Sequence, residues 1–231
     1  ANKMFCSDEK GVLFTRDKTR LVSYPRGACG DYAIPESVSV IDACAFRGSP
    51  GLTGVTIPAG VMSLDIGTFK DCSSLAAVVI PETVSRLLGD FWTGGVFEGC
   101  TSLTRVKVPG SVTDLGVRTF KSCTSLATVE IAGGVRNISG DWWEGGAFWG
   151  CSNLTTIAIP NSVTNIGIGA FGKCSRLTHV RLGNGLVSIA PLAFERCGLT
   201  DVSIPDSVTS IEANAFRDCA SLTHVLLSSN L

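Results

Sequence analysis

Pro160-Asn-Ser-Val163-Thr-Asn-Ile166-Gly-Ile-Gly-Ala170-Phe171-Gly-Lys-Cys174 decides the fold, because close copies of it fill the chain. Another copy opens as Cys72-Ser-Ser-Leu75-Ala-Ala-Val78-Val-Ile80-Pro81-Glu-Thr-Val84. The apolar residue that usually precedes Pro recurs at Ile34, Ile57, Ile80, Val108, Ile131, Ile159, Leu182, Ile204 and Leu227, at intervals of 23, 23, 28, 23, 28, 23, 22 and 23. The following Phe recurs at Phe46, Phe69, Phe97, Phe120, Phe148, Phe171, Phe194 and Phe216, at intervals of 23, 28, 23, 28, 23, 23 and 22. Two independent columns therefore share one register, and self-similarity at such a period is the mark of a solenoid.

Within a unit, Leu-x-x-Val-x-Ile ends in two-residue alternation, which suits a short β-strand. Pro stops ladder pairing just past it. A second short alternation, Val-x-x-Ile, follows. Gly then opens a turn and Ala-Phe closes it, which predicts a 3₁₀ or short helical turn. Twenty-three residues cannot hold two strands and a helix of ordinary length, so each coil must be flat. One coil offers about five apolar side chains to an interior, too few to offset the entropy of ordering it. Coils must stack and share their burial.

Composition agrees. Of 231 residues, 45% are apolar and only 17% charged, which excludes a polar disordered chain. Lys and Arg total 19 against 20 Asp and Glu. That balance argues against nucleic-acid binding and against a basic membrane-surface protein. The longest apolar run, Leu75 to Ile80, is far too short to cross a bilayer. The 26 Gly fit turn punctuation, and no phosphate-binding or dinucleotide fingerprint appears.

The consensus Leu-x-x-Val-x-Ile-Pro-x-Ser-Val-x-x-Ile-x-x-x-Ala-Phe-x-x-Cys resembles the BspA-like (treponemal-type) leucine-rich repeat, over roughly Tyr32 to Leu231. Gly11 to Pro25, two alternating runs around Arg16-Asp17-Lys18-Thr19, resembles the hairpin that opens such arrays. The expected fold is an α/β-type leucine-rich repeat solenoid. It is mainly β, with parallel strands on one face and short 3₁₀ or helical turns on the other, in about eight coils of 22–28 residues. Residues 1–31 are expected to form an N-terminal hairpin and cap, and residues 32–231 the solenoid, as one continuous domain. The resemblance implies no enzyme and no cofactor. It implies a protein-protein interaction or adhesion module of a surface or secreted protein. Ser49 stands where later units have Cys, and Ile131 and Leu182 are followed by Ala132 and Gly183 instead of Pro. The chain stops at Leu231 just after a strand, so the natural protein is expected to continue, or a partner to cover that end.

The repeat also places candidate binding residues. Two outward columns of the strand face, expected to be the concave one, hold Arg105, His179, Asp201 and His224 in the first and Lys107, Glu130 and Arg181 in the second. Both histidines flank Asp201, but three ligands in a line match neither a tetrahedral nor a facial metal site. No metal is expected. Ser203 sits in the second column with nothing that suggests an oxyanion hole.

A cysteine column, Cys72, Cys100, Cys123, Cys151, Cys174, Cys197 and Cys219, follows each Phe by three residues. With no C-x-x-C pair, zinc is not indicated. Buried thiol fillers are the structural reading, and disulfides between adjacent coils are the alternative. A Cys29–Cys44 disulfide would be possible in a secreted protein.

Two five-residue insertions read Gly89-Asp90-Phe91-Trp92-Thr93-Gly94-Gly95 and Gly140-Asp141-Trp142-Trp143-Glu144-Gly145-Gly146. They should bulge from one edge, one plain coil apart. Their aromatic and acidic residues (Asp90, Phe91, Trp92, Asp141, Trp142 and Trp143) suit an interface hot spot or a sugar-stacking platform. Alternatively, each Trp folds back to plug its own bulge. Three functions are compatible with this pattern: a protein-binding adhesion module, a structural subunit of a larger assembly, or a carbohydrate binder acting through the insertions. An extracellular or cell-surface setting fits the first, and an intracellular or organellar assembly the second.

Overall fold

A computed structural model describes residues 2–143 and 145–227. The chain winds as a three-sided β-solenoid. Among the described residues the first side carries nine short strands: Gly30–Ala33, Leu52–Thr56, Ala77–Val79, Arg105–Val108, Thr128–Ile131, Thr156–Ala158, His179–Arg181, Asp201–Ser203 and His224–Leu226. Every ladder among them is parallel. The winding is about nine turns, one more than the eight expected. The second side is a parallel seven-stranded sheet of two-residue strands, running from Ser63–Leu64 to Ser210–Ile211.

The third side corrects the expectation of 3₁₀ or helical turns: among the described residues it holds hydrogen-bonded turns and no helix. The reason is local. A left-handed residue stands two places after each spine Phe from Phe46 to Phe216: Gly48, Asp71, Gly99, Ser122, Gly150, Lys173, Arg196 and Asp218. In the coils without an insertion, another stands two places before it, at Cys44, Gly67, Arg118, Gly169, Leu192 and Asn214. A right-handed run confined between two such residues is too short to become a helix.

Each bracket instead turns its amides toward the next coil. The Phe amide donates to the residue before the next Phe, at 2.7–2.9 Å in every coil from Phe46 to Phe194. The left-handed residue beyond it donates in turn, as Gly48 does to Lys70 and Ser122 to Trp149. The rings stack face to face from Phe69 to Phe216, with centroids 5.2–5.5 Å apart. Phe46 and Tyr24 continue the stack into the first turn. All the spine Phe rings from Phe46 to Phe194 are fully buried.

The N-terminal segment forms an antiparallel sheet of Phe5–Ser7, Leu13–Thr15 and Arg20–Ser23. Arg20–Ser23 then pairs in parallel with Val40–Ile41 of the first coil. The hairpin thus prolongs the second side of the solenoid and covers its first turn.

Candidate binding surface

Both insertions leave the solenoid between the second side and the Phe turn, and both end on a glycine that touches the following coil. A Cβ on Gly95 would lie 2.0 Å from the Arg118 carbonyl oxygen, and one on Gly146 1.8 Å from that of Gly169. Only glycine allows so close an approach. In the first insertion Gly89–Asp90 pairs with Gly94–Gly95 as a minimal hairpin. The Asp90 carboxylate closes it by accepting from the amides of Thr93 and Gly94. Burial pushes the Asp90 carboxyl up, but those amides outweigh it and hold it below the usual carboxylate range. Lys70 donates to the Thr93 carbonyl at 3.0 Å and pairs with Glu98 at 3.3 Å. Glu98 in turn accepts from the Gly95 amide. In the second insertion Asp141 accepts from the Trp143 amide at 2.9 Å.

Arg118 joins the two. It lies on the plain coil between them, at φ 60°. Its guanidinium donates to the carbonyls of Phe91 at 3.0 Å and Trp143 at 3.1 Å. It stands 3.8 Å from the Asp141 carboxylate and 5.1 Å from the centre of the Phe91 ring. Phe91 packs edge-on against Trp92 and Trp143, at 4.7 and 6.2 Å between centroids. The rings remain open to solvent: Trp92 is 88% exposed, Trp143 69%, Trp142 64% and Phe91 39%. These Trp residues therefore do not fold back as plugs. The result is one aromatic ridge spanning three coils, with its backbone held from below by a charged fork. Sequence reasoning picked out Asp90, Phe91, Trp92, Asp141, Trp142 and Trp143 but missed Arg118, Lys70 and Glu98. Arg118 sits 27 residues from Phe91 and 25 from Trp143, so only the 23- and 28-residue periods together could have revealed it.

The strand-face columns point outward as expected. Arg105, Lys107, Glu130, His179, Arg181, Asp201 and His224 are all exposed. Arg105 pairs with Glu130, and Lys107 with Glu82 at 2.8 Å. His179 and His224 each bond through Nδ1 to the preceding Thr hydroxyl, and Asp201 accepts from Thr200. No group of three His, Cys, Asp or Glu side chains suited to a metal occurs among the described residues.

All ten cysteines are free thiols. Cys29 and Cys44 donate instead to the carbonyls of Gly27 and Ile66. Each column thiol donates to the carbonyl of the preceding coil's Phe, at 3.0–3.2 Å, from Cys72 onto Phe46 to Cys219 onto Phe194. Burial pushes every one of them up, Cys72 and Cys151 to about 12. Thiolate chemistry is thereby suppressed at neutral pH.

This is the architecture of a leucine-rich repeat solenoid. The model of the BspA type leucine rich repeat region matches in 6 copies, over residues 28–145 and 144–231, and the chain belongs to that family. Such repeat proteins are generally protein-protein interaction modules and generally non-catalytic. A leucine-rich repeat protein from Eubacterium ventriosum is similar at 25% identity and a TM-score of 0.61, covering 94% of this chain. This chain spans only 50% of the length of that one. A leucine rich cell surface protein from Faecalibacterium prausnitzii shares the fold at 24% identity, a TM-score of 0.60, and 100% and 78% coverage of the two chains. So does the T. pallidum leucine rich repeat protein, at 23%, 0.55, and 100% and 81%. A search of the curated proteins found no match. No helix among the described residues is long and apolar enough to cross a membrane.

Proposed function

We propose that this chain is a non-catalytic adhesion-type module that binds a protein partner through the aromatic ridge of its two insertions. The observation that carries this reading is the exposure of Phe91, Trp92 and Trp143 on loops whose backbones are already fixed by Arg118 and Asp90. Exposed large aromatics cost solubility, and they are the side chains that most often anchor interfaces. A ridge fixed before contact loses little entropy on binding.

The proposed setting is the cell surface or the secreted space, the setting that the Faecalibacterium protein's description gives for that protein. Biotinylation of intact cells with a membrane-impermeant reagent tests it: this chain should be labelled, and labelling only after lysis would contradict the setting. Binding is tested with Trp92→Ala combined with Trp143→Ala, measured by interferometry against a panel of purified extracellular-matrix and serum proteins. The wild-type chain should bind at least one of them. The double variant should lose about a hundredfold in affinity, the scale of two hot-spot side chains, with an unchanged melting temperature. Equal binding by both proteins, no binding by either, or a loss of folding in place of binding would refute the reading.

A further inference from the structure

Behind the second insertion lies a cavity of about 170 Å³ that shares Trp142 with the aromatic ridge but not Phe91, Trp92 or Trp143. Its walls come from three coils and include Asp141, Trp142, Trp149, Lys173, Glu195 and Arg196. Trp149 is the deep wall. Its ring is 6% exposed and lies where a Cβ on Gly172 would come within 2.1 Å of it. Gly172 and Gly169 thus leave room for this indole and for nothing larger than hydrogen on their own positions. Lys173 covers the ring, with Nζ 5.1 Å from its centre. Glu195 is the buried acidic member, its side chain 9% exposed, 3.7 Å from the Arg196 guanidinium. Trp142 forms the outer wall and keeps most of its surface in solvent.

The chemistry of these walls selects a ligand class. Asp141 lies 3.8 Å from Arg118 and Arg196 lies 3.2 Å from Asp218, so three carboxylates and three cations balance around the cavity and neither an anion nor a cation is favoured by the net field. The walls offer carboxylate acceptors, a guanidinium donor and an open indole face. Those complement a neutral ring whose hydroxyls both donate and accept and whose C–H face is apolar. The volume is that of about six waters at ~30 Å³ each, room for a single pyranose. We propose that this cavity is a subsite for one neutral sugar residue, stacked on Trp142 with its hydroxyls on Asp141, Glu195 and Arg196. The sugar's source, a terminal residue of a glycoprotein or a unit of a polysaccharide, shares this chemistry.

Saturation-transfer NMR against glucose, galactose, N-acetylglucosamine, lactose and maltose at millimolar concentration tests the subsite. At least one sugar should receive saturation on its ring protons. Trp142→Ala should weaken that sugar about tenfold, the scale of one stacking contact, and Glu195→Gln should weaken it independently. Trp92→Ala should leave sugar binding intact, which separates this subsite from the protein-binding ridge. Comparing the best sugar on a glycoprotein and on a polysaccharide then identifies the source. Silence from all five sugars, or an unaltered Trp142→Ala, would overturn the proposal.

Discussion

The turn side and the strand side of this solenoid respond differently to the same irregularities. Coil length departs from 23 residues at three steps: two of 28, where the insertions stand, and one of 22. On the strand side, the residue after each repeat Leu marks the effect. Its amide reaches the preceding coil at 2.9–3.0 Å across the 23-residue steps, as at Ala76, Ala127, Thr178 and Thr223. Across one 28-residue step Thr104 stretches to 3.4 Å, and across the 22-residue step Thr200 does the same. Across the other 28-residue step Thr155 makes no such bond among the described residues. The ladders follow suit. Arg105 keeps a single register pair with Ala77, and the sheet breaks before Thr156–Ala158 and again before Asp201–Ser203. On the turn side the Phe bonds hold: the amides of Phe69, Phe120 and Phe194 cross the same three steps at 2.8, 2.7 and 2.8 Å.

The difference shows where the fold keeps its register. Each turn is tied to the next by a backbone bond, an S–H···O=C bond and a stacked, fully buried ring. The strand side has a backbone ladder whose side chains alternate, with Val106, Ile157 and Val202 buried and Lys107, Ala158 and Ser203 exposed, and it has no stacked rings or S–H bonds among the described residues. Strain from irregular coil length therefore falls on the strand side. A bulge can be inserted beside the turn without breaking the spine, and that permits the aromatic ridge.

The largest effect should come from the spine itself. Phe120→Ala should cost about 3–5 kcal/mol by urea unfolding, more than any change on the strand face. A smaller value would mean the stack can collapse around the gap. Arg118→Ala, which releases two carbonyls at once, should cost about 1.5–3 kcal/mol. It should also broaden the indole NMR signals of Trp143, whereas Arg118→Lys should restore only part of either. Cys123→Ala removes one sulfur bond and should cost about 1–2 kcal/mol by the same unfolding.

Alkaline pH should act through the same column. Below the ordinary thiol value of 9.0 both folded and unfolded thiols are protonated. Between 9.0 and about 12, burial keeps Cys72 and Cys151 protonated only in the folded chain. The unfolded chain then binds fewer protons, so stability must fall as pH rises through that window. Urea midpoints that stay level from about pH 8 to about pH 11 would contradict the burial of the column. The smallest effect belongs to Arg105→Ala on the strand face, within about 1 kcal/mol because its partner Glu130 is exposed. A larger loss would show that the strand side shares the burden of the spine.

Much of this could be read from the sequence. The Phe and Cys columns, the two strand alternations and the outward positions from Arg105 to His224 follow from period alone, because each coil buries the same side chains. The left-handed brackets were hidden, since several fall on residues that do not advertise them, such as Cys44, Arg118, Lys173, Leu192 and Arg196. Missing them produced the expectation of helical turns. The insertions announced their aromatic content, but whether Trp92 and Trp142 faced in or out depended on contacts from a neighbouring coil. The cavity beside Trp149 was likewise invisible, because Lys173 and Glu195 reach it from later turns.

Residue-resolved amide hydrogen exchange tests the division of labour between the two sides most directly. The amides of Phe120 and Phe194, which cross irregular steps, should exchange as slowly as those of Phe97 and Phe148, which cross regular ones. The amides of Thr104, Thr155 and Thr200 should exchange faster than those of Ala76, Ala127 and Thr178. Uniform protection along the strand side, or early exchange at Phe120 and Phe194, would contradict a register held by the phenylalanine turns.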